Sequence, residues 1–136
     1  MRVMIDTNIF ISAALFPNGK AAQALMKAFL PPFQPMTCDY VIDELRRKFS
    51  EKFPDRITEL DAFLYHSSFV IDVVETYDNE TTYEPMIRDV KDQPILRTAI
   101  YHQVDYILTG DKDFLSLSLQ HPTVISVADF LNLRLK

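Results

Sequence analysis

An α/β fold on a mostly parallel sheet is what this sequence predicts. Short apolar, strand-like runs alternate with longer helical segments along the chain, the pattern of strand–helix–strand units. Pro, Asn and Gly mark many of the joints between them. The 136 residues suffice to bury a real core, and no internal repeat or linker divides them, so residues 1–136 read as a single domain.

The elements follow in order. Residues 2–6 read as a short buried strand, and a helix is expected from about Ile9 to Phe16, stopped by Pro17-Asn18-Gly19. Lys20 to Leu30 forms a second helix, ended by Pro31-Pro32. After a strand near Gln34–Thr37, Asp39 is placed to cap a helix carrying Val41, Leu45 and Phe49 at four-residue spacing. Pro54 opens another amphipathic helix with Ile57, Leu60 and Leu64 on one face, and Phe69–Val74 alternates as a strand. The polar stretch 75–93 is assigned no element, while Pro94 suits the first turn of a helix over Ile95 to His102. A strand at Asp105–Leu108 closes in Thr109-Gly110; a short helix, DFLSLSL, a strand near Val124–Ser126 and a last helix, VADFLNLRL, complete the chain.

Composition excludes several functions. With 48% hydrophobic and 24% charged residues the chain has the balance of a soluble globular protein. No apolar run approaches the ~20 residues of a membrane span. The start has no basic leader and carries Asp6 within its apolar stretch, so no cleaved signal peptide is expected. Cys38 is the only cysteine, which forbids an intrachain disulfide and suits a reducing cytoplasm. A net charge of −5 argues against a nonspecific nucleic-acid binder, although not against an enzyme that holds a polyanion through cations. Gly19 and Gly110 are the only glycines, too few for a dinucleotide-binding fingerprint and too far apart for a P-loop. His66, His102 and His121 lack metal-ligand spacing, and no nucleophile elbow is present.

The chemistry lies in carboxylates that the fold gathers. Sites in open α/β sheets form outside the carboxyl ends of the strands. Asp6 terminates the first strand there, and Asp111 and Asp113 follow the strand in DYILTGDKDFL. Glu44 precedes the core position Leu45 at the flank of a helix, and Asp92 stands just before the helix that starts around Pro94, with Asp89 three residues earlier. Each has a plain structural reading: Asp6, Asp92 and Asp111 as helix caps, Glu44 as an ion pair with Lys48. Convergence would change that. At ~5 Å and an effective dielectric near ~20, each carboxylate pair costs about 3 kcal/mol. Protonation or a divalent cation must relieve it, and an all-oxygen donor set suits Mg²⁺ or Mn²⁺. Such a cation next to a phosphodiester polarises the phosphoryl oxygen and lowers the pKa of water.

The segments MIDTNIFISAAL, VIDELRRKF, RDVKDQPILRTAI and DYILTGDKDFLSL, in that order and spacing, resemble the PIN-domain family, and the likeness extends to the closing VISVADFLNL. It is nearest to the branch of toxin components of toxin–antitoxin systems. The resemblance implies a three-layer α/β/α sandwich with a mostly parallel central sheet and a metal-dependent endoribonuclease that cleaves RNA by metal-activated water. It places Asp6, Glu44, Asp92 and Asp111 on the family's four acids, Asp113 on an auxiliary one, and Asn8 and Thr109 on polar positions that orient ligands or water. Asp92 matches the third acid best, with Asp89 the alternative. The stretch YHQVDY departs from the small residues common before that strand and leaves the acids untouched. A small antitoxin partner is a further expectation; the resemblance also allows a homodimer and leaves the oligomeric state open. Two other readings compete: a phosphotransfer receiver-like Mg²⁺-binding domain, and a catalytically silent binding module whose acids are all caps and surface charges.

Overall fold

A computed structural model describes residues 1–78 and 90–134. Its centre is a five-stranded sheet: β1 (Arg2–Ile5), β2 (Gln34–Cys38), β3 (Asp72–Val74), β4 (Tyr106–Leu108) and β5 (Thr123–Ile125). The strands lie in the order β3-β2-β1-β4-β5, and every pairing is parallel. Helices cover both faces, giving the α/β/α sandwich. β1 is the middle strand, which explains its continuous apolar run: Val3, Met4 and Ile5 are fully buried, as a strand covered on both faces requires.

Seven α-helices are described: α1 (Thr7–Leu15), α2 (Lys20–Ala28), α3 (Asp39–Lys52), α4 (Ile57–Ser67), α5 (Gln93–Tyr101), α6 (Lys112–Leu115) and α7 (Val127–Asn132). α1 packs on α2, α3 and α4, α2 packs on α7, and α3 reaches α5. On α2, Lys27 Nζ donates to the carbonyls of Phe130 at 2.6 Å and Leu133 at 2.8 Å, neutralising the C-terminal end of α7. No described helix is long and apolar enough to cross a membrane.

Several elements differ from expectation for local reasons. α1 starts at Thr7 because Asp6 is its N-cap, the carboxylate accepting from the Thr7 amide. Asp39 is not the cap of α3; Cys38 holds that position, and the Asp39 carboxylate accepts from the amide and hydroxyl of Thr76. β3 is shorter than Phe69–Val74, because the turn after α4 carries Phe69 and Val70 out to 72% and 47% exposure. Only Ile71 of that trio faces the core. α6 spans four residues instead of the full DFLSLSL stretch.

Strand order positions the site. From β1 the chain moves to β2 and β3 on one side, then crosses back to β4 and β5 on the other. The carboxyl ends of β1 and β4 therefore flank the point where the direction of winding reverses, which is where open α/β sheets bind ligands.

Candidate active site

Asp6 leaves β1 at this switch point. Its amide donates to the Leu108 carbonyl on β4 at 3.1 Å, so the backbone enters the site as a continuation of the sheet. Its carboxylate is 2% exposed and held at both oxygens. Oδ1 accepts from the Thr7 amide at 2.7 Å, and Oδ2 accepts from the hydroxyl of Thr109, just past β4, also at 2.7 Å. Each carboxylate oxygen keeps a lone pair beyond these bonds. The same Thr109 hydroxyl accepts from the Asp111 amide at 3.0 Å, so one buried threonine ties the two acid-bearing strand ends together.

Burial pushes the Asp6 pKa up from 3.8 to about 6. The bonds from Thr109 and Thr7 act the other way, and the negative charges of Glu44 and Asp111 raise it further. Three acids from three distant stretches of sequence thus sit within electrostatic reach of one another. Glu44 arrives from the second turn of α3 and is 5% exposed. Its ion-pair partner is Arg47, at 3.7 Å, and not Lys48 as the four-residue spacing predicts. Arg47 is largely in solvent, so the contact offsets little of the cost of a buried carboxylate.

Asp111 is the N-cap of α6, its Oδ1 accepting from the Asp113 amide at 2.8 Å. The capping reading and membership of the cluster therefore hold together, since one oxygen caps while the other stands outside that bond. Asp113, half-buried, lies in the first turn of α6, and Asn8, also half-buried, in the first turn of α1. Asp92 is 7% exposed, at the end of a 3₁₀ turn (Val90–Asp92) that leads into α5. It occupies the N-cap position of α5 yet makes no side-chain capping bond there. Asp89 lies outside the described residues.

Two buried threonines belong to this edge and carry no signal in the sequence. The Thr37 hydroxyl, on β2, donates to the Ile5 carbonyl at 3.1 Å and so fixes the peptide that precedes Asp6. Thr7 Oγ1 is buried with no hydrogen-bond partner among the described atoms. Nothing in QPMTC or DTN marks these hydroxyls as different from those of ordinary β-branched core residues, because their partners are set by the tertiary fold.

The donor set consists of carboxylate and hydroxyl oxygens, with no imidazole or thiolate among the gathered acids, and suits a hard divalent cation. Among the described residues, no group of three or more His, Cys, Asp and Glu side chains is arranged closely enough to hold a metal ion.

Buried Asp6, within electrostatic reach of Glu44 and Asp111 at the switch point of a 3-2-1-4-5 parallel sheet, marks an acidic edge on an α/β fold. A PIN-domain model matches residues 2–113, and the chain belongs to the PIN-domain family, whose members are generally divalent-metal-dependent nucleases. The chain is 28% identical over 123 residues to an uncharacterized protein of Methanocaldococcus jannaschii, covering 86% of this chain and 75% of that protein. Its fold resembles VapBC2 from Rickettsia felis, solved bound to a DNA fragment from their promoter, with a TM-score of 0.70 and 18% identity over 93% of this chain and 98% of the other. It also resembles a toxin–antitoxin complex from Klebsiella pneumoniae, with a TM-score of 0.65 and 21% identity over 92% and 97% of the two chains.

Proposed function

We propose that this chain is a Mg²⁺- or Mn²⁺-dependent endoribonuclease and the toxin of a toxin–antitoxin pair. The observation that carries the reading is the burial of Asp6 against Glu44 and Asp111, an arrangement unfavourable in itself that a divalent cation relieves. Membership of the PIN-domain family supports nuclease chemistry. The toxin–antitoxin complexes among its structural neighbours support a small antitoxin as partner. RNA as the substrate rests on the resemblance of the acid-bearing segments to PIN-domain toxins.

In this reading Asp6, Glu44, Asp92 and Asp111 hold the cation, with Asp113 as an auxiliary acid and Asn8 orienting ligand or water. A bound cation supplies charge neutralisation at the phosphate and lowers the pKa of water. The chain's own part is to hold the acids. Thr109 fixes the rotation of the Asp6 carboxylate and the start of the Asp111 turn, while α3 and α5 present Glu44 and Asp92 from rigid elements. Asp6 must be ionised to serve, so its raised pKa makes protonation compete with the cation for its carboxylate. Residues 1–136 act as one nuclease domain in the cytoplasm, a setting compatible with a homodimer.

Strand order weighs against a receiver-like domain. Receivers of the flavodoxin-like kind have the order 2-1-3-4-5, whereas this sheet runs 3-2-1-4-5. A silent binding module accounts for Asp6 as the cap of α1 but gives no reason for Glu44 and Asp111 to lie within electrostatic reach of it.

The test is RNA cleavage by the purified chain with Mn²⁺, with Mg²⁺ and with EDTA, beside Asp6→Asn. Cleavage that needs the cation and disappears in Asp6→Asn is expected. No cleavage, or cleavage that persists in EDTA and in Asp6→Asn alike, would overturn the reading.

A further inference from the structure

The first turn of α3 holds both flanks of the segment between β3 and α5. On the β3 side, the Tyr40 amide donates to Thr76 Oγ1 at 3.1 Å, and the neighbouring Asp39 carboxylate accepts from the Thr76 amide at 3.1 Å. On the α5 side, the Tyr40 hydroxyl donates to the Lys91 carbonyl at 2.8 Å. That carbonyl belongs to the peptide bond joining Lys91 to Asp92. Tyr40 also stands four residues before Glu44, one turn earlier on the same face of α3.

We infer that Tyr40 is a positioning residue that sets Asp92 against Glu44 by holding the peptide in front of Asp92 from the helix face that bears Glu44. The inference rests on the metal-dependent reading given above. Three features make Tyr40 suited to the task. The bond spans 51 residues of sequence, so it is a tertiary tie and not a local turn contact. The half-buried ring packs against the core, so its hydroxyl is presented from a fixed base. Asp92 directly follows the held peptide, so fixing the Lys91 carbonyl limits the backbone from which the Asp92 carboxylate projects. A small octahedral cation tolerates little displacement of its donors, and loss of such a tie is expected to register as lost affinity.

Tyr40→Phe removes the hydroxyl alone. In the metal-free protein, amide exchange should quicken at Lys91, Asp92 and Gln93 and stay unchanged on the rest of α3. Mn²⁺ affinity, measured by calorimetric titration, should fall by about fivefold in Tyr40→Phe. The decisive comparison is the double variant. If Tyr40 acts through Asp92, adding Tyr40→Phe to Asp92→Asn should cost no further affinity. A purely structural role would lower the unfolding temperature and leave Mn²⁺ affinity unchanged, and that result would overturn the inference. An equal additional loss in the Asp92→Asn background would also overturn it, because Tyr40 would then act elsewhere. Failure of the wild type to bind Mn²⁺ would sink the metal-dependent reading and this inference with it. Wild-type binding that Asp92→Asn abolishes and Tyr40→Phe leaves intact would sink the inference alone.

Discussion

The Thr109 hydroxyl donates to Asp6 Oδ2 at 2.7 Å while accepting from the Asp111 amide at 3.0 Å, and this two-way contact adds a side-chain tie to the β1–β4 backbone pairing at the acidic edge. Thr109→Val keeps the shape and loses both bonds. A buried carboxylate is then left short of a donor, with an expected cost of about 1–3 kcal/mol in unfolding free energy. The lost bond also removes an influence that lowers the Asp6 pKa, so cation binding should need a higher pH. Thr109→Ser should retain most of both properties. Urea unfolding and Mn²⁺ titration of the two variants check this.

Asp6 gives the metal-free protein a pH dependence of definite sign. Its pKa is 3.8 unperturbed and about 6 in the fold, so the folded state binds more protons than the unfolded state between those values. Stability is therefore full below about pH 4 and falls as pH rises towards 6, a loss from this one group of roughly 3 kcal/mol. Asp6→Asn should be more stable than wild type at pH 7 in EDTA, and the two should converge near pH 4. Denaturant titrations across that range measure it. Equal stabilities at pH 7 would show that Asp6 carries no such strain.

Glu44 and Arg47 separate a ligand from an ion pair. Glu44→Gln should abolish RNA cleavage. Arg47→Ala breaks the 3.7 Å contact and should change stability by only ~0.2–1 kcal/mol and the cleavage rate by about twofold at most. Full cleavage by Glu44→Gln would remove Glu44 from the donor set.

Asn in place of Asp92 keeps the side chain's shape and removes the charge that a cation would need. Asp92→Asn should unfold at nearly the wild-type temperature while losing cleavage and cation affinity. Asp89→Asn is expected to lower activity modestly at most. An inactive Asp89→Asn beside an active Asp92→Asn would reverse the assignment of the third acid.

The alternation of elements was legible because local patterns report it: the buried run of β1, the turn at Pro17-Asn18-Gly19, and Pro94 in the first turn of α5. Exposed apolar residues misled that reading at Phe69 and Val70, whose alternation mimics a strand although their backbone turns. The acids were legible as candidates because charge beside apolar runs is rare. Their partners were not. Asp39 reads as a cap until Thr76, 37 residues away, takes its carboxylate, and Thr37 reads as a β-branched strand residue until it meets the Ile5 carbonyl. Contacts between strand ends depend on strand order, which no local window contains.

Thermal unfolding of wild type and Asp6→Asn, each with EDTA and with Mn²⁺, tests most directly whether the gathered acids share one cation. Wild type should start lower and gain strongly with Mn²⁺, because the ion binds only the folded cluster and relieves its repulsion. Asp6→Asn should start as high or higher and gain little. Equal Mn²⁺-induced shifts in the two proteins would contradict a shared site at the ends of β1 and β4.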